Sequence, residues 1–454
     1  MKHARLKHPR RIALLLLAGL IAIVFSCRKE GGGNGDATTR ITSGTYSSDH
    51  HPVSYVWSQI EIPVMTRNVL SYGVCWGGSR TPSVDGDKRE FKAPAEHAGR
   101  LRLIQAFHAD QEGMEPGASY FARSFVRYDD RVVYGETQSF TVPIPDAEAA
   151  GEEYEFPMIF HVLNNTPTND SKYNPHSNLF FTQVENLNRV VRMNMAVNGM
   201  TASVRFRLAE IGPDGEFLPE AGVERVYYEK ATEELPWQFF STPVDPERKA
   251  LLWDPYRYMN LWLFPRKGDS WTGTSCNAFV PEANMRCGCA PAEVYMKYYP
   301  MHGICLNTVH LGSDDFKTLE HEMGHMLGLS HVFSFGDCMD FDCCSDTPSY
   351  DRDAYLANIR QWMYQRQTCD GTVFTSDNIM DYGLGYQTTF TPQQCEIMQH
   401  VLRYGLMLPD RTPELEEFGR RLVAEPESAV AKAVLPESLF RSLLHTDSLP
   451  QLNL

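Results

Sequence analysis

The sequence has too little positive charge for a protein that binds nucleic acid. Its 454 residues include 42 Lys and Arg against 57 Asp and Glu, which gives a formal net charge of −15. Phosphate binding requires a basic surface, so this balance predicts that nucleic acid is not a partner. Hydrophobic residues make up 43% and charged residues 22% of the chain. These values exclude a disordered chain, a collagen and a coiled coil, and they are typical of a soluble globular protein.

The N-terminus lacks an apolar run long enough to span a membrane. The uncharged stretch at 12–25 follows a basic segment and is shorter than the about 20 residues that a membrane helix needs. This pattern predicts a signal peptide. The stretch ends in VFSC, whose last residue is Cys27, and this ending resembles a bacterial lipobox. A cleaved signal with an incidental cysteine is the alternative.

We therefore predict a lipoprotein signal peptide over 1–27 with a lipid on Cys27, and a flexible, glycine-rich tether over 28–42. Several acyl chains on one cysteine hold a protein stably at a bilayer. The expected location is outside the cytoplasm, in the bacterial cell envelope, with the protein anchored at the outer membrane or the cell surface.

The cysteines lack the paired CxxC spacing of common zinc clusters. Of the 11 cysteines, ten remain if Cys27 is acylated, and an even number in an exported chain favours disulfides. The close pairs Cys287 with Cys289 and Cys343 with Cys344 leave a zinc cluster as the weaker alternative.

Residues 43–143 lack any stretch with helical periodicity. Short segments rich in β-branched and aromatic residues alternate with Gly, Pro, Asp and Asn, at 53–57, 71–76, 101–107, 120–126 and 138–142. This pattern predicts an all-β sandwich. The pieces YGVCWG at 72–77 and PGASYFAR at 116–123 resemble immunoglobulin and fibronectin III-like modules. Because no cluster of candidate site residues stands out, we interpret the module as a spacer.

A linker at 144–153 precedes a domain of mixed character at 154–408. Strand patterns are found at 156–163, 204–208, 258–264 and, as a candidate edge strand, at 304–311. Helix signals are a capping box at Thr182–Glu185, a start at Ser313 for a helix ending at 327, and a cap at Thr391 for a helix ending at 406. The mixture predicts an α+β domain. Residues 409–454 are expected to form short amphipathic helices or a partly ordered tail.

The segment HEMGHMLGLSH at 321–331 is the strongest functional signal in the sequence. On a helix, His321 and His325 lie on one face, one turn apart, so both imidazoles reach one Zn²⁺. Gly328 ends the helix because glycine accepts a positive φ, and the bend brings His331 round as a third ligand. Three protein ligands leave one position open for water, which is typical of a catalytic zinc.

Glu322 lies beside the first of these ligands. A carboxylate in that position can take a proton from the attacking water as general base. The residues alone therefore predict metal-assisted hydrolysis, with Glu322 acting on water rather than on the metal.

The segment at 321–331 and the later NIMDY at 378–382 together resemble the metzincin clan of zinc peptidases and their methionine turn. DTP at 346–348 and FTPQ at 390–393 narrow the resemblance to pappalysin-type metallopeptidases, as found in bacterial metalloproteinase lipoproteins. The family implies a zinc endopeptidase with a metzincin-type α+β fold, in which Met380 supports the metal site. It also implies that Tyr382 contacts the metal or stabilises the oxyanion, with a packed turn residue as the alternative.

The resemblance carries further expectations. A peptide or protein substrate should lie extended along the strand at 304–311, paired through its main chain. Cys338 and Cys369 flank the stretch between the third histidine and the methionine turn, and we predict that they form a disulfide. The same stretch holds an acidic loop that is either a Ca²⁺ site or solvated, with the residues Asp337, Asp340, Asp342 and Asp346. The other histidines considered, namely His161, His302 and His310, are expected to be structural.

The segment after the methionine turn, 383–390, holds no acidic residue. Enzymes of this type with a basic preference carry an acid there, because a buried cation needs a counter-charge. We therefore expect uncharged or apolar residues at that substrate position. The competing functions are a surface adhesin with a vestigial peptidase domain and a zinc hydrolase of a non-peptide amide. The intact histidine, glutamate and methionine pattern favours the peptidase.

Overall fold

A computed structural model describes residues 38–424 apart from short gaps, which are 50–51, 64–68, 95–98, 112, 146–150, 166–170, 233–234, 236–245, 267–271, 297–300, 312–316, 337, 339–341, 383–384 and 386. The predicted signal peptide, Cys27 and residues 28–37 of the predicted tether lie outside the described residues, as does the C-terminal stretch 425–454. Across the described ranges, no helix combines the length and the apolar character needed to cross a membrane.

The described residues of the N-terminal part form strands and no helix. The strands are β1 Arg40–Ser47, β2 Val53–Glu61, β3 Val69–Gly77, β4 Lys88–Lys92, β5 Arg100–His108, β6 Ser119–Tyr128, β7 Val132–Tyr134 and β8 Gln138–Thr141. They form two antiparallel sheets, ordered β1-β2-β5 and β4-β3-β6-β7, with β8 also paired to β6. Each of the five predicted strands is present. The start predicted at 43 is wrong, because β1 begins at Arg40, inside the predicted tether.

The two sheets pack face to face. Val56 and Phe107 of the first sheet contact Val74, Ala122 and Phe140 of the second, and all five are buried. The sequence pattern missed β1, β4 and β7. β7 has only three residues, and the segments RITSGTYS of β1 and KREFK of β4 are polar and only partly buried. Their apolar alternation is therefore weak.

The rest of the chain contains the strands β9 Glu152–Asn164, β10 Ala202–Leu208, β11 Val223–Tyr227, β12 Met259–Phe264, β13 Gly273–Ser275, β14 Phe279–Val280, β15 Ala290–Pro291, β16 Ile304–Asn307, β17 Phe333–Ser334, β18 Tyr350–Asp351, β19 Gln365–Gln367 and β20 Val373–Thr375. Its helices are α1 Asn178–Leu187, α2 Met193–Val197, α3 Pro246–Lys249, α4 Ala292–Tyr295, α5 Thr318–Met326, α6 Arg352–Ala357, α7 Ile359–Trp362, α8 Pro392–Tyr404 and α9 Pro413–Ala424. A π-helical segment, Asn188–Arg192, joins α1 to α2. Because β9 begins at Glu152, the predicted linker is two residues too long.

One mixed sheet of six strands organises this part. The order is β10-β9-β12-β16-β13, with β11 also paired to β9. All neighbours are parallel except β13, which runs antiparallel to β16. In the described part of the chain, β13 is the outer strand on this side of the sheet.

The edge strand predicted at 304–311 is wrong. β16 Ile304–Asn307 lies between β12 and β13, and a short 3₁₀ turn at Thr308–His310 follows it. Every residue of β16 is buried, as expected for a parallel strand covered on both faces. The edge is instead Gly273–Ser275, whose short polar sequence gives no strand signal.

The capping box predicted at Thr182–Glu185 is also wrong, because α1 begins at Asn178. Thr182 lies inside the helix, and its hydroxyl donates to the Asn178 carbonyl over 3.0 Å. The Glu185 carboxylate instead accepts a hydrogen bond from the backbone N–H of Asp49 at 3.0 Å, in the loop after β1.

The strand module is packed on the helical domain. Tyr46 and Tyr55 stack on Phe181 of α1, with ring centroids 4.5 and 5.7 Å apart. Val53, Tyr55 and Ile104 belong to the same buried apolar cluster as the six-stranded sheet. The module therefore contributes to the core of its neighbour, which a simple spacer would not do.

The C-terminal boundary predicted at 408 is too early. The cap at Thr391 is confirmed and forms a capping box with Gln394, but α8 ends at Tyr404 rather than at 406. Beyond it, α9 packs Leu415, Phe418 and Leu422 against the main core. This spacing puts all three on one helical face, so the folded domain extends at least to Ala424.

Candidate metal centre

Helix α5 carries His321, Glu322 and His325, and all three side chains are buried. The start predicted at Ser313 falls outside the described residues, and the described helix begins at Thr318. The predicted break at Gly328 is present, with a φ of +92°. A Cβ at this position would also lie 2.8 Å from Val401 Cγ2. Glycine is therefore needed here for its conformation and for its size.

Beyond that turn, His331 completes a triangle of nitrogens. The Nε2 atoms of His321 and His325 are 3.1 Å apart, those of His325 and His331 are 3.1 Å apart, and those of His331 and His321 are 3.2 Å apart. A tetrahedral Zn²⁺ with bonds of 2.0–2.1 Å has ligand atoms about 3.3 Å apart, so the triangle fits this ion. Within the described ranges, these three form the one group of His, Cys, Asp or Glu side chains that could hold a metal.

Backbone carbonyls set the tautomer of two of these imidazoles. The Nδ1–H of His321 donates to the carbonyl of Ile379, and that of His325 donates to Leu329, each over 2.7 Å. With the proton held on Nδ1, the Nε2 lone pair faces the centre of the triangle, as metal binding requires. Ile379 directly precedes Met380, so the methionine turn orients the first histidine.

Met380 is fully buried beneath α5. A Cβ added to Gly324 would collide with its sulfur, so the glycine lets the helix rest on the methionine. Met380 is thus placed to support the helix between His321 and His325, which is the position that the resemblance predicts.

Glu322 is fully buried on the side of α5 that approaches the sheet edge. A Cβ on Gly273 of β13 would lie 2.7 Å from Thr318 Cγ2 and 3.2 Å from Glu322 Cγ. Because position 273 is glycine, the helix can approach the outer strand closely. The Glu322 side chain therefore lies near the outer strand, on the helix that carries His321 and His325.

Tyr382 is also beside the centre. Its ring centroid lies 4.4 Å from that of His331 and 5.3 Å from that of His321. The side chain is buried, with 9% of its surface exposed. The phenol is thus near enough to act at the site, and equally near enough to be a packing partner of the histidines.

A buried ion pair behind the methionine turn was not expected from the sequence. Arg366 and Asp381 are 0% and 1% exposed, and Arg366 Nε lies 3.2 Å from Asp381 Oδ2. The hydroxyls of Tyr350 and Ser376 donate to the same carboxylate. Burial, together with this carboxylate, raises the pKa of Tyr350, which therefore stays protonated and able to donate.

The same arginine holds the next residue of the turn. Arg366 Nη2 donates to the Tyr382 carbonyl over 2.9 Å. The ion pair therefore fixes the backbone on which Tyr382 stands. No motif marks Arg366, because its partner is recognisable only once the chain has folded.

Two disulfides hold the stretch between the third histidine and the methionine turn. Cys338 pairs with Cys369, with Cα atoms 5.9 Å apart, as predicted. A second bond joins Cys287 to Cys343 across a Cα distance of 6.1 Å, so these two residues do not form a zinc cluster.

The even cysteine count overestimated the number of disulfides. The other cysteines of the described part are not joined in either of these two disulfides, namely Cys75, Cys276, Cys289, Cys305, Cys344 and Cys395. Burial raises the pKa of Cys276 to about 12 and that of Cys395 to about 11. Such thiols behave as small apolar side chains.

Calcium binding in the acidic loop receives no support. The Thr347 hydroxyl donates to Asp342 over 2.7 Å, and the Gln393 backbone N–H donates to Asp346 over 2.9 Å. Both carboxylates therefore have protein donors, whereas Asp337 and Asp340 lie outside the described residues.

The three histidines that the sequence analysis expected to be structural, namely His161, His302 and His310, are not part of the triangle. The ring nitrogens of His161 lie 2.6 Å from a Glu224 oxygen and 3.0 Å from the Asn260 amide oxygen. Burial lowers the pKa of His302 to about 4, so this imidazole is neutral. Neither these two nor His310 joins the metal-binding group.

Comparison with known proteins shows which proteins the sequence around the histidine triangle is similar to. Residues 244–403 match the Peptidase_M43 family model, described as pregnancy-associated plasma protein-A. Extracellular metalloproteases of Arthroderma benhamiae and Trichophyton verrucosum are each 28% identical over 162 residues, which is 32% of this chain and 51% of theirs. The chain thus spans about half the length of the curated relatives it matches.

Solved structures add nothing to this assignment. Pectate lyase Pel3 from Pectobacterium carotovorum is 11% identical with a TM-score of 0.15, over 29% of this chain and 38% of its own. The fn3 domain of human collagen alpha-1(XX) chain is 18% identical with a TM-score of 0.16, over 27% of this chain and 96% of its own. Scores this low carry no argument about the fold. The family match is different, because it encloses both the histidine triangle and the methionine turn. Residues 244–403 are therefore similar to the pappalysin-type metallopeptidases.

Proposed function

We propose that the protein is a lipid-anchored, extracytoplasmic zinc endopeptidase in which Glu322 is the general base. The observation that carries this proposal is the triangle of Nε2 atoms with 3.1–3.2 Å sides, next to a buried carboxylate on the same helix. When bound by His321, His325 and His331, zinc would polarise the scissile carbonyl and acidify a water. This intact set speaks against a vestigial domain.

Glu322 and Tyr382 divide the remaining chemistry. Glu322 takes the proton of the attacking water and passes it to the leaving amine. The Tyr382 hydroxyl donates to the negative charge that develops on the carbonyl oxygen. The position of its ring beside His331 and His321 supports this role.

The substrate is a peptide or a protein held as an added strand. The outer strand Gly273–Ser275, rather than 304–311, offers main-chain groups at the sheet edge next to Glu322. An extended peptide paired there would be recognised through its backbone, with its scissile bond near the metal ligands.

Zinc removal tests the peptidase proposal directly. We expect the full-length protein to bind zinc at the histidine triangle, to cleave a peptide library, to lose cleavage after dialysis against a chelator and to regain it when zinc is added. Metal analysis and mass spectrometry of the products measure these effects. A folded protein that takes up no zinc, or a zinc-loaded protein that cleaves no peptide, would contradict the proposal.

The lipid anchor is tested at Cys27. We expect Cys27→Ser to move the protein from the membrane to the soluble fraction or to leave an unprocessed precursor, because serine has no thiol to acylate. Ser26→Ala is the matched control, since it keeps a small residue before the cysteine and should stay membrane-bound. Fractionation followed by immunoblotting distinguishes these outcomes. A processed Cys27→Ser protein that remains in the membrane would disprove the anchor.

The strand module completes the proposed architecture. Its two packed antiparallel sheets support an immunoglobulin or fibronectin III-like sandwich. In this arrangement the signal peptide, the tether and the sandwich precede the catalytic domain, and the peptidase is held at the cell envelope.

A further inference from the structure

We propose that Arg352 forms a carboxylate-binding subsite beside the metal centre, so that the enzyme prefers peptides with an acidic group next to Tyr382. This inference rests on the proposed function and names the class of substrate for that same site. It arises from a buried arginine that the hydrolytic mechanism does not use.

Arg352 is the first residue of α6 and follows β18 directly. Its side chain is buried, with 4% exposed. The guanidinium carbon lies 4.2 Å from the ring centroid of Tyr382 and 5.0 Å from that of Phe333. Both rings contact His331, at 4.4 and 4.7 Å. One layer of aromatic rings therefore separates the guanidinium from a metal ligand.

Among the described residues, no carboxylate forms an ion pair with Arg352. Its Nη1 atom is buried and has no hydrogen-bond partner among the described residues. The aromatic faces supply cation–π attraction but cannot accept the N–H groups in the plane of the guanidinium. A buried cation without a counter-charge is costly, and a planar guanidinium is suited to bind a carboxylate through two parallel hydrogen bonds.

Arg366, on β19, is a second buried arginine near Tyr382, and its counter-charge comes from the chain itself. It forms an ion pair with Asp381 at 3.2 Å and donates to the carbonyls of Met363 and Tyr382, both at 2.9 Å. Of these two buried arginines beside the turn, Arg366 has a carboxylate partner from the chain, whereas no described carboxylate pairs with Arg352. This difference indicates that the counter-ion of Arg352 arrives with the ligand.

The position of Arg352 changes the residue preference that the sequence predicts for the substrate position after the cleaved bond. The absence of acid in 383–390 argues against a basic preference, and Asp381 is engaged by Arg366, Tyr350 and Ser376. The guanidinium of Arg352 lies 4.2 Å from the centroid of the Tyr382 ring. A positive charge at this place favours an acidic group over an apolar one. The carboxylate can belong to an Asp or Glu side chain or to the C-terminus of the peptide.

Two measurements on the full-length protein test the subsite. The first is a cleavage profile on peptide libraries with free and with amidated C-termini, in which Asp and Glu should be enriched at one position. Enrichment that disappears on amidation would assign the carboxylate to the C-terminus. The second is the affinity for two peptide hydroxamates that differ only in Glu against Gln. The acidic compound should bind about 10- to 100-fold more tightly, the range expected for a hydrogen bond to a charged group.

Substitutions of Arg352 test whether this side chain causes the preference for an acidic group. Arg352→Met should abolish the acidic preference while zinc content is retained, and Arg352→Lys should keep part of it, because lysine has the charge without the planar fork. Arg360→Met, at an exposed arginine of α7, is the matched control and should change nothing. Two results with the wild-type protein alone would overturn the inference. One is a cleavage profile without enrichment of acidic residues, and the other is equal affinity for the two hydroxamates. Such a result accompanied by peptide cleavage would leave the proposed function standing.

Discussion

Replacing Glu322 with glutamine is expected to leave zinc bound and to lower peptide cleavage by about 10²- to 10⁴-fold. The reason is geometric. The three Nε2 atoms form the metal triangle without any oxygen of Glu322, so the carboxylate is not needed to hold the ion. Glutamine keeps the size of the side chain but cannot take the proton from the attacking water. The measurement is zinc content together with initial rates on one cleaved peptide.

Glu320→Gln is the matched control for this experiment. Glu320 is buried on the same helix, and its pKa is raised by that burial, so the chemical change is the same in a similar environment. It should retain zinc and cleave at nearly the wild-type rate. Loss of zinc from a folded Glu322→Gln protein would show that Glu322 is a ligand, and an unchanged rate would remove it from the mechanism.

Replacing Asp381 with alanine is expected to lower the free energy of unfolding by about 3–5 kcal/mol, the usual cost of breaking a buried ion pair. The substitution leaves the guanidinium of Arg366 without a counter-charge at 0% exposure. It also removes the acceptor of the Tyr350 and Ser376 hydroxyls. Chemical denaturation followed by circular dichroism measures the change.

The double variant Asp381→Ala with Arg366→Met separates charge from packing. Removing both ions should recover part of the lost stability, because no uncompensated charge remains. Asp377→Asn, at an exposed position of the same turn, should change stability by less than about 0.5 kcal/mol. A loss below about 1 kcal/mol for Asp381→Ala would mean that the pair is not buried as described.

The metal ligands were predictable because they depend on local geometry. His321 and His325 are four residues apart on one helix, and the positive φ that ends the helix at Gly328 is a local requirement. The edge strand was not predictable from such a pattern. Ile304–Asn307 is apolar enough for a strand, but its neighbours are set by chain segments far away in sequence.

Long-range polar contacts were also hidden from the sequence. The pairing of Arg366 with Asp381 and the position of Arg352 over Tyr382 depend on how α6, β19 and the methionine turn converge. The same holds for Glu185, which the sequence presents as part of a helix cap and the fold uses to bind the loop after β1. For each of these side chains, the role depends on a contact with a distant part of the chain. The local sequence suggests a different role or no role at all.

The six-stranded sheet has a consequence for which part of the chain can fold by itself. The span recognised by family similarity begins at residue 244, after β9, β10 and β11, which supply half of the six strands. A fragment limited to 244–403 would leave the β9-facing edge of β12 unpaired along 259–263. Open edges of this kind recruit other chains and aggregate. Autonomous folding therefore requires the upstream strands, and the aromatic stack on Phe181 indicates that it requires the N-terminal module as well.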